Sequence, residues 1–291
     1  MFRNRVRDWL EQAEVKRDLG RFLLHFDTPR FREIEAEHRD ADPAPGWSKY
    51  LNVEPWLKEK LLAVRKLGLQ HSHPSRILDI GAGTGYFGWI CTRYGHDAAG
   101  MDLDEVPLYA ELCDFLELRR HIWRVNAHEP LPELGARFDL ITAFMICFNG
   151  HKSTDLWGPK EWEFFLDDLR ENLLNAGGRI FLSFNAEDDG RCFTPELAAF
   201  FRDRGGRVSR REVEFGAHPP ELRLRTRVRE WLQRGTPTGF RHANRFSARL
   251  GTAADHAEPK TGRSHSSDGL GVSWRPWRSK KKDTPLGDKG R

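Results

Sequence analysis

Between Ser75 and Phe215, five short apolar runs alternate with segments long enough to form helices. This rhythm constrains the fold more than any other feature of the sequence. The runs are RILDIG (76–81), DAAGMDL (97–103), HIWRV (121–125), FDLITAF (138–144) and GRIFLSF (178–184). Between them lie GYFGWICTRYG, VPLYAELCDFLELR and PKEWEFFLDDLRENLL. Strands that alternate with helices connect by right-handed crossovers and form a parallel sheet covered on both faces. TPELAAFFRDRGG (194–206) adds a further helix, and VSRREVEF and LRLRTRVREW are predicted to form an antiparallel edge pair. The predicted class is α/β, a doubly wound, mostly parallel sheet of about seven strands with helices on both faces.

The flanking regions differ in composition. Residues 1 to about 70 carry apolar residues at spacings of three to four, as at Val6, Trp9, Leu10 and Ala13, which predicts amphipathic helix. The breaker cluster Asp40–Trp47 interrupts them, and a second helix, roughly Glu54–Leu67, is predicted to end at Gly68. From Gly235 to the end, Leu, Ile, Val and Phe nearly vanish, leaving too little apolar area to offset the entropy of ordering. The expected domains are a helical N-terminal extension and lid (1–70), a sheet domain (71–234) and a disordered basic tail (235–291).

Charge follows the same division. The formal net charge is +4, but residues 235–291 hold 12 Lys and Arg against 5 Asp and Glu. The rest of the chain is mildly acidic, so the basic balance is no argument for nucleic-acid binding by the fold. Only the tail, where Trp274 and Trp277 adjoin RSKKK (278–282), mixes aromatics with cations. A frame shift in GC-rich coding sequence would produce a tail of the same composition. No apolar run is long enough for a membrane span, and the start does not read as a signal peptide. Four cysteines at 91, 113, 147 and 192 form no close pair and read as reduced thiols, so a cytoplasmic location is expected.

The chemistry sits in ILDIGAGTGYFGW. Gly81, Gly83 and Gly85 follow a buried strand at alternate positions, where glycine permits positive φ and lets a ligand approach bare backbone. The helix opening near Gly85 aims unpaired N–H groups at the same place. A dinucleotide fingerprint begun at Gly81 needs glycine at 86, where Tyr86 stands; begun at Gly83 it fits, three residues late. Asp79, just before the loop, repels a pyrophosphate and attracts the ammonium of a methionyl group. About 20 residues on, GMDLDE ends the second run, and Asp102 there is placed to accept from ribose hydroxyls, while Asp104 suits a helix N-cap.

The ordered stretches DIGAGTGYF, GMDLDE, VNAHEPLP, FDLITAF and LLNAGGRIFLSF resemble the motif series of class I S-adenosylmethionine-dependent methyltransferases over Arg76 to Phe184. The resemblance implies S-adenosyl-L-methionine as cofactor. The loop Gly81, Gly83 and Gly85 with Asp79 would hold its methionyl part, and Asp102 with Leu103 its ribose. Asn126 and Ala127 would stand at the adenine, with Asn in place of the family's Asp, and Phe144 at the methyl end. Many small-molecule members continue the fourth strand as FEVLEH. Here FMICFNGH places Met145 and Asn149 at the Glu and first His positions, with His151 two residues later.

His151 is therefore the candidate general base, a structural loop role being its alternative, and Asn149 is a candidate for orienting substrate. Lys49 and Tyr50 are candidate cofactor contacts, with packing the alternative for Tyr50, Trp47 and Trp56. No NPPY or DPPY follows the fourth strand and no Pro-Cys occurs, which argues against nucleic-acid base methylation. CxxC spacing is absent, so no metal is expected. The expected function is methyl transfer to a small molecule by in-line displacement. A non-catalytic binding protein and an NAD(P)-dependent oxidoreductase are the alternatives.

Overall fold

The computed structural model describes residues 2–41, 46–146, 148 and 156–216. LRLRTRVREW, the tail from 235, Asn149 and His151 lie outside the described residues. The chain opens with helices α1 (Phe2–Leu23), α2 (Pro29–Ala41) and α3 (Val53–Lys66). There follow β1 (Arg76–Ile80), α4 (Tyr86–Arg93), β2 (Asp97–Asp102), α5 (Pro107–Phe115), β3 (Arg119–Ile122) and β4 (Phe138–Ile146). The described part ends with α6 (Pro159–Asp168), β5 (Leu174–Phe184), α7 (Pro195–Asp203), β6 (Arg207–Val208) and β7 (Glu212–Phe215).

The strands form one seven-stranded sheet in the order β3-β2-β1-β4-β5-β7-β6. Neighbours from β3 to β5 run parallel, and β7 is antiparallel to both β5 and β6. This is the doubly wound, Rossmann-like architecture that the alternation of runs predicts. The order reverses between β1 and β4, which opens a crevice at the carboxyl ends of the strands.

Side-chain alternation sorts the core onto two faces. Ile77, Leu140 and Phe181 point into one cluster with Phe87 and Ile90 of α4 and Leu108 and Leu112 of α5. Leu78, Ile80, Ile141 and Ile180 point into the other, against Phe165 and Leu166 of α6 and Leu197 and Phe201 of α7. The N-terminal helices belong to the first cluster. Val53, Leu57, Leu61 and Val64 of α3 are spaced for one helix face, and all four are buried there with Phe22, Phe26 and Ile34. Gly68, at φ +74°, ends this segment in the left-handed region. Asp18 ties the bundle together, accepting from Arg65 (3.0 Å) and from the Tyr94 hydroxyl (2.8 Å). Burial would raise its pKa, but the hydrogen bonds from Tyr94, Arg17 and Arg65 outweigh it and hold the carboxyl below its ordinary value. The N-terminal region is thus packed into the sheet's core on one face.

Three expectations need correction. The third strand lies at Arg119–Ile122, earlier than 121–125: β2 ends at Asp102, opposite Ile122, so pairing runs out there. Its apolar signal is weak because β3 is an edge strand with exposed ends. VSRREVEF, read as one strand, folds back on itself, with Ser209 N–H donating to Glu212 O (2.8 Å) and Val208 opposite Val213. Among the described residues the antiparallel edge therefore comes from one segment, the polar Ser-Arg-Arg making its turn. Asp104 is not the N-cap of α5: Val106 holds that position, Pro107 follows it, and Asp104 pairs with Arg120. Among the described residues, no helix is long and apolar enough to cross a membrane.

Candidate functional site

The loop from β1 to α4 lies at the switch point of the sheet. Gly81, Gly83 and Gly85 take φ of +72°, +54° and +75°, so all three use the freedom that glycine provides. The loop is laced to β2. Gly81 and Ala82 both donate to Met101 O (2.8 and 3.2 Å), and Gly83 N–H donates to Asp102 Oδ2 (2.5 Å). Leu103 N–H takes the other oxygen, Oδ1, at 2.7 Å. Burial raises the Asp102 pKa, and the two backbone N–H groups work against it. Gly100, unremarked in the sequence, makes room for this contact: a Cβ there would stand 2.7 Å from that of Ala82.

The three loop glycines serve different ends. A Cβ on Gly81 would meet nothing within 4 Å, so its backbone faces open space. A Cβ on Gly83 would touch the Tyr109 ring at 3.8 Å. On Gly85, the N-cap of α4, it would run into Leu118 and Cys113 at 2.8 and 2.9 Å. Gly85 is required by close packing, Gly83 lies under the Tyr109 ring, and Gly81 presents the bare surface.

Asp79 lies beneath the loop, 3% exposed, and accepts from the Thr142 hydroxyl at 2.6 Å. Burial pushes its pKa up to about 7, against the opposing pull of Thr142 and of the Lys60 charge. Between pH 3.8 and about 7 the folded state holds a proton that the unfolded chain has lost. The stabilisation from this group is full below 3.8 and is lost as pH rises through 7. Asp79→Asn is therefore expected to raise the melting temperature of the ligand-free protein at pH 8 and to change it far less at pH 5. Equal shifts at both values in scanning calorimetry would contradict the buried, ionising carboxylate.

Aromatic residues cover the loop from two directions. Tyr109, in the first turn of α5, lies over Gly83 and packs against Tyr50 (5.6 Å) and Trp47 (5.4 Å) from the N-terminal region. The Tyr50 and Tyr109 hydroxyls are hydrogen-bonded, and burial pushes both phenols up. Tyr86 OH donates to Tyr50 O (2.9 Å), while Lys49 stands over the Tyr50 ring and its carbonyl accepts from Trp56 (3.0 Å). Lys60 of α3 places its ammonium 4.5 Å from the centre of the Phe144 ring. Phe144 in turn packs on Phe87 (4.7 Å) and Phe181 (5.5 Å).

No family model matches the sequence, and no curated protein matches it. Similar solved structures include DesVI from Streptomyces venezuelae, at 15% identity and TM-score 0.42, covering 58% of this chain and 94% of that one. Another is SAM-bound CalS10 from Micromonospora echinaspora, an amino pentose methyltransferase involved in calicheamicin biosynthesis. It is 20% identical at TM-score 0.33, covering 46% of this chain and 53% of that one. A third is an O-methyltransferase family protein from Burkholderia thailandensis, 16% identical at TM-score 0.38, covering 67% and 68%.

The remaining predicted residues fall along the carboxyl edge of the sheet. Asn126 and Ala127 are exposed in the loop after β3, where the Asn126 amide donates to Glu129 (2.8 Å). Trp123, which sequence reasoning missed, donates its backbone N–H to Asp102 O (3.0 Å) and keeps its side chain 39% exposed. Lys60 and Tyr109 were missed as well. Each stands on a helix whose register carried a faint signal, Tyr109 in the turn that follows GMDLDE and Lys60 three residues after the buried Leu57.

The end of β4 is irregular. Leu140 and Phe144 face the α4 side, and Ile141 and Ala143 the α6 side. Period-two alternation would return Ile146 to the α4 side, yet it packs among the α6 residues. Met145, at φ +54°, causes the reversal by a bulge between Ala143 and Ile146, and the Asn185 amide holds its carbonyl at 2.7 Å. A non-glycine residue in this strained region marks a place that the surroundings over-determine.

Proposed function

We propose that this chain is a class I S-adenosylmethionine-dependent methyltransferase that moves a methyl group to a small-molecule acceptor. The observation that carries the reading is the bond from Gly83 N–H to Asp102, which joins the glycine loop after β1 to the acid at the end of β2, beside the switch point, where we assign the ribose. A carboxylate has about four acceptor positions, so with two taken by backbone N–H groups Asp102 keeps room for a pair of hydroxyls. In its ionised form Asp79 below the loop suits a cation and disfavours a pyrophosphate. The open backbone at Gly81 leaves the close approach that a methionyl chain needs, with Gly83 beside it under Tyr109. Leu103 and Trp123 flank Asp102 as surfaces for adenine, with Asn126 and Ala127 beyond them, and Phe144 with Lys60 borders the methyl end.

Bound there, the cofactor supplies an electrophilic methyl group on a sulfonium. Displacement at that carbon asks the protein mainly for alignment, which is worth several kcal/mol. His151 belongs to the proposal as general base. His151→Ala is expected to lower turnover by about 10²–10⁴ with cofactor affinity unchanged. Unchanged turnover would remove it from the mechanism.

The test of the cofactor is a thermal-shift panel. S-adenosylmethionine and S-adenosylhomocysteine should raise the melting temperature by binding the native state, and NAD(H) and NADP(H) should not. A shift with a nicotinamide cofactor alone would replace this reading with the oxidoreductase one.

A further inference from the structure

A cavity of about 290 Å³ opens at the carboxyl ends of β4 and β5, on the α6 side of the sheet. Its walls are rings. Phe148 packs on Trp157 (5.0 Å), Trp157 on Trp162 (5.3 Å), Trp162 on Phe184 (5.4 Å) and Phe184 on Phe193 (5.4 Å). Ile146 completes the wall on the β4 side. The Met145 bulge makes this possible: it turns Ile146 into the cavity while Phe144, two residues earlier, stays beside Lys60 and Phe87. One strand end thus borders the proposed methyl end on one side and the cavity on the other.

Resting on the methyltransferase reading, we infer that this cavity holds the acceptor and that the acceptor is a small planar aromatic compound. The volume is at the small end of ligand pockets, which run to about 300–1,000 Å³, so a peptide or nucleic-acid strand does not fit within it. Rings attract rings in tilted and edge-on arrangements, which these walls offer on several sides. A polyhydroxylated acceptor fits less well than a ring, because most of the wall is aromatic and the polar side chains, Glu187 and Glu196 among them, lie at one side of the lining. Asn185 donates to Met145 O, Thr194 accepts from Leu197 N–H, and Asp189 pairs with Arg191. Sugar hydroxyls placed among these rings would go unpaired, which is costly. In the transfer, a lone pair on the acceptor's oxygen or nitrogen forms the bond to the methyl carbon. The carbon–sulfur bond breaks with its electron pair left on sulfur, and the acceptor's proton is taken by the general base and passed to solvent.

The full chain, with and without S-adenosylhomocysteine, is titrated with 2-naphthol and with glucosamine by ligand-observed NMR. The cavity variants Phe193→Ala and Cys192→Trp are titrated in parallel. Naphthol is expected to bind and glucosamine not, and each variant should weaken naphthol by about tenfold while leaving S-adenosylhomocysteine affinity unchanged. The retained cofactor affinity shows that the variants are folded. Naphthol binding unaltered in both variants, or glucosamine binding as tight as naphthol, would overturn the inference. Cavity-dependent naphthol binding without any S-adenosylhomocysteine binding would overturn the methyltransferase reading and leave the ligand class standing.

Discussion

Valine in place of Gly83 is expected to abolish S-adenosylhomocysteine binding while the sheet stays folded. At φ +54° the backbone is in the left-handed region, which costs an ordinary residue about 1–2 kcal/mol and a β-branched one more. A Cβ there already touches the Tyr109 ring at 3.8 Å, so the two valine methyls have to displace the ring or the loop. Displacing the loop breaks the 2.5 Å bond to Asp102, and displacing the ring drives it into the space proposed for the ligand. Two such losses together correspond to about 100-fold or more in affinity. Gly85→Val is the contrast. Its side chain would collide with Leu118 and Cys113, beneath α4, and is expected to destabilise the whole domain. Calorimetric titration with melting curves separates the two: Gly83→Val loses binding and keeps cooperative unfolding, and Gly85→Val loses melting temperature first.

Asp102→Ala is expected to weaken cofactor binding by about 10- to 100-fold, through loss of charge-assisted hydrogen bonds that water replaces in part. The substitution acts twice. It removes the acceptor proposed for the ribose, and it leaves Gly83 N–H and Leu103 N–H without the oxygens they now engage. Asp102→Asn keeps one carbonyl oxygen and should fall between wild type and alanine. An alanine variant that titrates like wild type would show that the ribose lies elsewhere.

The architecture was legible because buried parallel strands are continuous apolar runs and their crossover helices are long. The loop was legible too, since three alternate glycines after a strand have few other uses. The register of β3 was not, because an edge strand buries too little to signal its ends. The hairpin in VSRREVEF was hidden because Ser-Arg-Arg continues an alternating pattern while forming a turn. The left-handed Met145 gives no sign in the sequence, since methionine carries no preference for that conformation and the bulge is held from outside by Asn185. The sequence marks Gly85 as one of the loop's ligand-facing glycines, whereas its surroundings show a packing role. Tyr109, Lys60 and Trp123 reach the site through tertiary placement, of which helix register gives only a faint sign for the first two and strand spacing none for Trp123.

The central claim is that the Gly83–Asp102 junction is the cofactor site, and calorimetric titration of wild type and Gly83→Val with S-adenosylhomocysteine tests it most directly. The account predicts one saturable site per chain in the wild type and none detectable in a folded Gly83→Val. No binding to wild type, or equal affinity in both proteins, would contradict it.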